Sequence, residues 1–280
     1  MFLFQNRALI GLIKMDGKIL ILGASGFLGN EVYQFFKNQN CIGTSFSKDI
    51  NGLIKLDLTK DGELERLIQK TKPQLIINSL NLGGFLDKNP EQTKRVNYGI
   101  NQELARVFDG KIVFFSTDSV FDGECGDYIE TDRTNPINNY GKTKELGESV
   151  LIDSNKDALI LRLGILYKDR SKGYVRFVYD NLKVGKAIDA WKEIVACPTH
   201  TDDVCYCLDY LLKQNAQGIY HLAGQEKISR YEFALRIANT FELDSSLINC
   251  PVYSGEIKRP KDTSLKSIKL KIKLRGVEIG

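Results

Sequence analysis

The 280-residue sequence contains little of what several protein classes require. It has two histidines and one tryptophan, and its 24 glycines and six prolines are too few for a fibrous protein. No run approaches the ~20 apolar residues that span a bilayer. The 39 basic and 35 acidic residues nearly balance, and 42 % of residues are apolar, which excludes a disordered chain. We therefore expect a globular protein with neither a nucleic acid nor a membrane as partner.

The cysteines indicate free thiols. Six are present, namely Cys41, Cys125, Cys197, Cys205, Cys207 and Cys250. The start of the chain lacks the basic residues and the cleavage site of a secretory signal, so we expect a reducing, cytoplasmic environment. Cys205 and Cys207 are one residue apart, a poor spacing for zinc, and we expect them to be small buried side chains of a helix. No metal site is predicted, and a disulfide stays open.

Short apolar runs alternate with amphipathic stretches over the first 165 residues. The predicted strands begin near positions 18, 41, 53, 74, 111 and 158, and the predicted helices cover 27–37, 61–70, 91–108 and 139–152. Strands this short and this apolar are typical of a sheet that is buried on both faces. The alternation predicts an α/β fold with a doubly wound, Rossmann-like parallel sheet.

The pattern changes after Leu163, where helical stretches at 174–184, 201–212 and 229–241 dominate. We expect residues 1–14 to be an extension outside the fold and 15–165 to form a dinucleotide-binding domain, with part of 199–224 returning to it. Residues 166–198 and 225–280 would form a smaller C-terminal, substrate-binding lobe. Its basic stretch at 254–273 is interpreted as a loop plus a short helix.

A glycine-rich turn follows the first strand and opens a helix. It has the sequence Gly23-Ala-Ser-Gly26-Phe-Leu-Gly29. Glycines permit a tight turn whose backbone N–H groups approach a pyrophosphate, and the helix N-terminus adds partial positive charge. The predicted cofactor contacts here are Gly23, Ser25, Gly26, Phe27, Leu28 and Gly29.

Two further segments carry chemistry. Tyr140 and Lys144 lie four residues apart, so they share one helix face. A nearby ammonium stabilises a phenolate, and we expect Lys144 to lower the pKa of Tyr140 toward neutrality. Thr117 ends the fifth strand, at the sheet edge where open α/β sheets bind ligands. These three residues are the predicted catalytic groups.

The spacing of the glycines resembles that of the short-chain dehydrogenase/reductases, in their extended, sugar-nucleotide branch. The resemblance implies that Asp57 and Leu58 contact adenine and that Asn78 and Ser79 lie beside the ribose. It also implies that Asn97 fixes Lys144 through a water, and that Lys144 and Tyr140 contact the nicotinamide ribose.

The choice between NAD and NADP depends on the end of the second strand. An acid there would bind the ribose 2′-hydroxyl, whereas a basic residue would bind a 2′-phosphate. The tip carries no acid, and Ser47 and Lys48 suit a phosphate. We therefore favour NADP(H) and leave NAD(H) open.

Longer segments resemble the dTDP-4-dehydrorhamnose reductase family. They include Ser116–Gly123, Asn139–Glu148 and Arg259–Leu265, and the resemblance extends from about Lys18 to about Lys269. It implies an oxidoreductase that reduces the C4 ketone of a nucleotide-activated deoxysugar, most simply dTDP-4-dehydro-L-rhamnose. Ser119, Ile165 and Arg259 are the candidate substrate contacts.

Three matters stay open at this point. Ser119 and Ile165 depart from the family's usual aromatic residues, so another nucleotide sugar, or epimerisation rather than reduction, is an alternative. The resemblance also extends to the regulatory β subunit of methionine adenosyltransferase, which suggests a non-catalytic alternative. A homodimer is the third open matter.

Overall fold

The computed structural model describes residues 17–47, 49–82, 89–154, 157–170 and 172–279. The expected extension at 1–14 lies outside these residues. So does Lys48, one of the two predicted phosphate contacts.

The strands alternate with helices in the order that the apolar runs predict. In chain order the strands are β1 (Ile19–Leu22), β2 (Cys41–Ser45), β3 (Leu53–Lys55), β4 (Leu75–Asn78), β5 (Lys111–Thr117), β6 (Ala158–Leu163), β7 (Leu166–Tyr167), β8 (Ile188–Asp189), β9 (Val195–Ala196), β10 (Thr199–His200), β11 (Gly218–Leu222), β12 (Ile228–Ser229) and β13 (Ile248–Asn249). Within the described chain, seven of them form a central sheet in the order β11-β6-β5-β4-β1-β2-β3. Every pairing in it is parallel, which confirms the predicted doubly wound α/β fold.

The helices cover both faces of the sheet. They are α1 (Phe27–Phe36), α2 (Glu63–Thr71), α3 (Pro90–Lys94), α4 (Ile100–Val107), α5 (Asn139–Asp153), α6 (Gly173–Lys183), α7 (Thr201–Lys213) and α8 (Arg230–Thr240). In the described ranges, no helix has the length and apolar content needed to cross a membrane.

Each face of the sheet has its own apolar core. On one face, Val32 of α1 and Leu208 of α7 pack against strand residues such as Ile21. On the other, Leu104 of α4 and Leu151 of α5 pack against the opposite side of the same strands. Burial on both faces explains why the strands are apolar throughout rather than alternating. Cys205 and Cys207 are buried free thiols in α7, as expected.

A third apolar core lies beyond the carboxyl edge of the sheet. Val178 of α6 and Phe233 of α8 pack together there, along with Tyr167 and Ile188 from short strands. The three two-stranded pairs β10-β7, β12-β9 and β13-β8 border this core. These elements form one wall of the cavity described below.

The predicted helix at 91–108 is interrupted. A π-helical turn at Arg95–Gly99 separates α3 from α4. The wider turn inserts an extra residue, and it directs the fully buried side chain of Asn97 toward α5. Such turns have no signature in residue type, which is why the sequence predicted one continuous helix.

The expectation of a short helix within 254–273 is wrong. The described tail is extended, and isolated bridges pair its Leu265 with Tyr128 of the loop after β5 and its Asp262 with Val195 of β9. The backbone N–H of Tyr128 donates to Ser264 O at 2.9 Å, and that of Lys266 donates to Tyr128 O at 2.8 Å. These backbone hydrogen bonds to a distant loop take the place of a local helix.

Candidate functional site

A cavity of about 680 Å³ lies at the carboxyl edge of the sheet. It opens where the strand order reverses between β1 and β4, which is where doubly wound sheets bind ligands. Its wall includes the glycine turn, the ends of β4 and β5, the first turn of α5, and residues of the C-terminal elements. All three predicted catalytic side chains are on this wall.

The glycine turn is built to receive an anion. Gly23 has φ of +80°, a conformation that favours glycine, and its N–H donates to Thr44 Oγ1 at 3.0 Å. Helix α1 begins after Gly26, which offers no side chain to cap the first N–H groups. Ser25, Phe27 and Leu28 line the cavity beside them. The residues present therefore fit the pyrophosphate of a dinucleotide.

Gly29 has a different place from the one predicted. It lies off the cavity wall, and a Cβ there would meet Gly23 O at 2.2 Å and Ser79 Oγ at 2.5 Å. Its smallness allows α1 to pack closely against the turn. Gly29 therefore shapes the turn without lining the cavity.

Of the four residues predicted near adenine and its ribose, three line the cavity and one is buried in the protein interior. Asp57 and Leu58 line the cavity, and Asp57 Oδ1 accepts a hydrogen bond from Thr59 Oγ1 at 2.6 Å. That bond, chiefly, lowers the pKa of Asp57, so the carboxyl is ionised at neutral pH. Ser79 also lines the cavity, but Asn78 is fully buried and donates to Asn101 Oδ1 at 2.8 Å.

The end of β2 presents an aromatic ring rather than an acid. Phe46 lines the cavity and is 55 % exposed. Ser47, a predicted phosphate contact, is exposed and lies off the wall, and Lys48 is outside the described residues. Asp49 pairs with Lys55 at 3.5 Å on the surface.

Helix α5 brings Tyr140 to the end of β5. Its N-terminus is capped by Asn138, whose Oδ1 accepts from Gly141 N at 2.9 Å. A Cβ at Gly141 would lie 2.1 Å from Ser119 O. The absence of a side chain at this position lets the helix approach the turn at Asp118–Val120, and this contact places Tyr140 beside Thr117.

The tyrosine is a protonated phenol in this site. Its hydroxyl forms side-chain hydrogen bonds with Thr117 and Asn81. Burial, assisted by the nearby Asp118 carboxylate, raises the pKa of Tyr140 to about 12. The expectation that Lys144 lowers the pKa of Tyr140 is therefore wrong for the free protein, because burial dominates and the groups that lower this pKa are Thr117 and Asn81 rather than Lys144.

Lys144 is buried beneath the cavity floor, with 2 % of its surface exposed. Its Nζ donates to Phe115 O at 2.9 Å and to Leu80 O at 3.3 Å, and it lies 4.7 Å from the centre of the Phe114 ring. Burial lowers the pKa of Lys144 to about 7, and the Glu148 carboxylate partly opposes this effect. The amine therefore titrates near neutral pH.

Asn97 is next to this helix but not on the cavity wall. Its Nδ2 donates to Leu82 O at 2.8 Å and to Thr143 Oγ1 at 3.1 Å, and its Oδ1 accepts from Leu82 N at 3.2 Å. It joins the loop after β4 to the residue that precedes Lys144. Its action on Lys144 through a water stays a prediction.

The C-terminal elements supply the other side of the cavity. Ser119 and Ile165, two of the candidate substrate contacts, line it. Arg259 does not, because its guanidinium packs over the rings of Trp191 and Tyr253 at 4.8 and 5.0 Å.

The sequence reasoning missed several residues of this wall. They are Asp118, Tyr174, Arg230 and Thr263, together with the apolar Ile194–Ala196 segment. Thr263 Oγ1 donates to Asp118 Oδ2 at 2.8 Å. Asp118 adjoins a predicted residue and could have been found from its neighbour. Arg230 follows the Ser229 helix cap, and no local signal relates it to a site 110 residues earlier.

The fold and the site together define an NAD(P)-dependent oxidoreductase of the extended short-chain dehydrogenase/reductase superfamily. The family described as RmlD substrate binding domain matches residues 17–277. The chain therefore belongs to this family.

Its relatives include enzymes and a subunit of an enzyme. A structure titled hypothetical dTDP-4-dehydrorhamnose reductase, from Sulfolobus tokodaii, has a TM-score of 0.85 and 34 % identity, and the match covers 94 % of this chain and 99 % of that one. The Bacillus anthracis dTDP-4-dehydrorhamnose reductase in complex with NADP shares the fold, with a TM-score of 0.81, 23 % identity and coverage of 94 % and 96 %. Methionine adenosyltransferase 2 subunit beta of Xenopus laevis is 31 % identical over 90 % of this chain and 81 % of its own length.

Proposed function

We propose that the protein reduces the C4 ketone of a nucleotide-activated deoxysugar, dTDP-4-dehydro-L-rhamnose, with NADPH. The observation that carries the proposal is the convergence of Thr117, Tyr140 and Lys144 on the cavity that also contains the glycine turn. The family supports a nucleotide-sugar reductase as the class. The choice of this particular sugar rests on the similarity to the dTDP-4-dehydrorhamnose reductases.

The side chains suit a reduction. When bound, the reduced nicotinamide supplies a hydride, which forms the new C–H bond at sugar C4. Tyr140 donates its proton to the C4 oxygen as that oxygen gains negative charge, and the Thr117 hydroxyl hydrogen-bonds the same oxygen. A phenol whose pKa lies near 12 is fully protonated before the reaction, as a donor must be.

The cavity also offers a cation for an anionic substrate. Arg230 lines the cavity and belongs to α8, and its guanidinium lies 4.9 Å from the centre of the Tyr174 ring. Its buried Nε has no hydrogen-bond partner among the described groups. A guanidinium with an unmet donor suits the diphosphate of a nucleotide sugar.

NADPH is the proposed form of the cofactor. Phe46 stands where an acid would bind the ribose 2′-hydroxyl of NAD, and Ser47 and Lys48 follow it. Lys48→Ala should weaken NADPH binding several-fold more than NADH binding, as measured by fluorescence titration. Lys37→Ala, at the far end of α1, is the control and should change neither affinity. Equal losses for both cofactors in Lys48→Ala would contradict this assignment.

The function is tested with purified protein, NADPH and a panel of 4-keto sugar nucleotides. We expect NADPH oxidation with dTDP-4-dehydro-L-rhamnose, and formation of dTDP-L-rhamnose identified by mass spectrometry. Faster turnover of another keto sugar would support the proposed ketone reduction but assign it to that sugar instead of dTDP-4-dehydro-L-rhamnose. An absence of turnover with every member, while NADPH binds, would overturn the enzymatic proposal.

The similarity to methionine adenosyltransferase 2 subunit beta supports a second candidate, a non-catalytic subunit. It predicts that the protein binds NADPH, reduces no keto sugar and forms a complex with a methionine adenosyltransferase. Size-exclusion chromatography of the mixed proteins decides whether that complex exists.

A further inference from the structure

A buried cluster of charges lies directly behind the catalytic residues. Glu148 and Arg162 have 2 % and 3 % of their surface exposed. Arg162 Nη2 donates to Glu148 Oε2 at 2.6 Å, and Arg162 Nε donates to Oε1 at 3.0 Å. Ser116, the residue before Thr117, donates its hydroxyl to Glu148 Oε1.

This cluster is connected to the cavity through α5 and β5. Glu148 follows Lys144 by four residues of α5, so the two side chains share a face of the helix. Ser116 lies between Phe115, whose carbonyl binds the amine of Lys144, and Thr117. Arg162 is the register partner of Ser116 on β6. Arg162 therefore fixes the Glu148 carboxylate through hydrogen bonds. The negative charge of this carboxylate stabilises the ammonium form of Lys144.

The groups around Lys144 show why the charge of its amine depends on Glu148. The charged and titratable groups described around Lys144 and its partner Glu148 are Tyr140 on the same helix, Asp118 after β5, Arg162 on β6 and His221 on β11. Of these groups, His221 lies against Arg162, with Nε2 3.5 Å from Arg162 Nη1. The loop after β4 presents the carbonyl of Leu80, and the π-helical turn presents the uncharged Asn97. Burial disfavours the charged amine, and the negative charge of Glu148 opposes that effect.

We propose that Glu148 is a positioning residue for the reduction: its buried carboxylate, held by Arg162 and Ser116, keeps Lys144 a cation at the nicotinamide end of the cavity. This inference rests on the proposed function, because it assigns Lys144 to the cofactor. An isolated buried amine would deprotonate and lose its attraction for the anionic cofactor. Glu148 extends the pH range over which the ammonium persists.

The test is the pH dependence of NADPH affinity in Glu148→Gln, measured by fluorescence titration without any sugar. Wild-type affinity should fall as pH rises through about 7, where Lys144 loses its proton. In Glu148→Gln the midpoint of that fall should move to lower pH by roughly one unit or more. An unchanged midpoint would overturn the proposal.

A control separates this electrostatic role from a structural one. Asp203 and Arg275 form another buried ion pair, with Nη2 to Oδ1 at 2.7 Å, and neither residue lines the cavity. Asp203→Asn should lower the unfolding temperature as Glu148→Gln does, yet keep the wild-type midpoint. Equal midpoint shifts in both variants would overturn the proposal, since loosening of the fold would then account for them.

Removal of Glu148 alone leaves Arg162 buried without its partner, and the variant could fail to fold. Glu148→Gln/Arg162→Met removes both charges, and the midpoint should still move to lower pH, but by less than in Glu148→Gln, because loss of the Arg162 cation also relieves its repulsion of the ammonium. A wild-type midpoint in the double variant would overturn the proposal. If wild-type protein binds no NADPH at any pH, the proposed function fails together with this inference. If wild-type protein binds NADPH and the variants keep its midpoint, only this inference fails.

Discussion

Tyr140 is the residue on which the proposed chemistry depends most. Its hydroxyl meets Thr117 at the cavity wall, and burial keeps it protonated. Tyr140→Phe removes the proton donor and leaves the ring in place. We expect kcat to fall by about 10²–10⁴-fold with little change in NADPH affinity. Steady-state kinetics and a fluorescence titration measure the two quantities, and near-normal turnover would contradict the assigned role.

Lys144 lies at the candidate site, and the burial of its charged amine lowers the stability of the folded protein. Burial lowers its pKa to about 7 from an ordinary 10.5, so the unfolded chain binds more protons than the folded chain between these pH values. The cost is fully present below about pH 7 and decreases as pH rises toward 10.5.

Lys144→Met should therefore raise the free energy of unfolding at pH 6 by about 1 kcal/mol while abolishing turnover. The gain should shrink at pH 9. Urea unfolding at the two pH values measures it. A variant that is less stable than wild type at pH 6 would contradict this explanation.

Local motifs made part of the site predictable from the sequence. Thr117, Tyr140 and Lys144 lie at a strand end and on one helix face, so local patterns sufficed to find them. Arg230 and Thr263 reach the same cavity from distant segments, and their place depends on tertiary packing that one sequence does not reveal. The pKa of Tyr140 was predicted in the wrong direction, because the motif carries no information about burial.

At the scale of elements, helix α5 is positioned by two close approaches. Gly141 allows contact with Ser119, and Gly147 allows contact with the π-helical turn. The strands were predictable because each is buried on both faces. The π-helical turn and the extended tail were not, since long-range contacts decide both.

Gly147→Ala tests the second approach. Its Cβ would lie 2.5 Å from Asn97 O and 2.8 Å from Asn101 Nδ2, so α5 would have to move. We expect a loss of about 1–3 kcal/mol in the free energy of unfolding and a weaker affinity for NADPH. Gly99→Ala is the control, because its Cβ meets only the flexible Arg95 side chain, at 3.1 Å. Equal losses in the two variants would count against the close-approach explanation.

At the scale of the whole molecule, the C-terminal tail connects the two sides of the cavity through backbone hydrogen bonds. Lys266 and Ser264 pair with Tyr128 of the loop after β5. His221 of β11 is buried beside this junction, with its Nδ1 3.1 Å from Tyr128 O and 2.9 Å from Lys266 O. The neutral ring is therefore part of the structural connection.

This junction should make the protein sensitive to acid. Burial, reinforced by Arg162, lowers the pKa of His221 to about 4 from 6.5. The unfolded chain binds more protons between these values, so stability falls as pH drops from about 6.5 to 4. His221→Asn keeps a donor for the carbonyls, and its loss of stability between pH 7 and pH 5 should be smaller by roughly 1 kcal/mol. Thermal unfolding at both pH values measures this, and equal losses would exclude His221 as the cause.

The most direct test of the central claim is the transfer of a labelled hydride. NADPH that carries deuterium at C4 of the nicotinamide is incubated with the protein and dTDP-4-dehydro-L-rhamnose, and the product is examined by NMR. We expect deuterium at C4 of the sugar in wild-type protein and none in Tyr140→Phe within the same time. Wild-type protein that binds both ligands yet leaves C4 of the sugar unlabelled and unreduced would contradict the central claim.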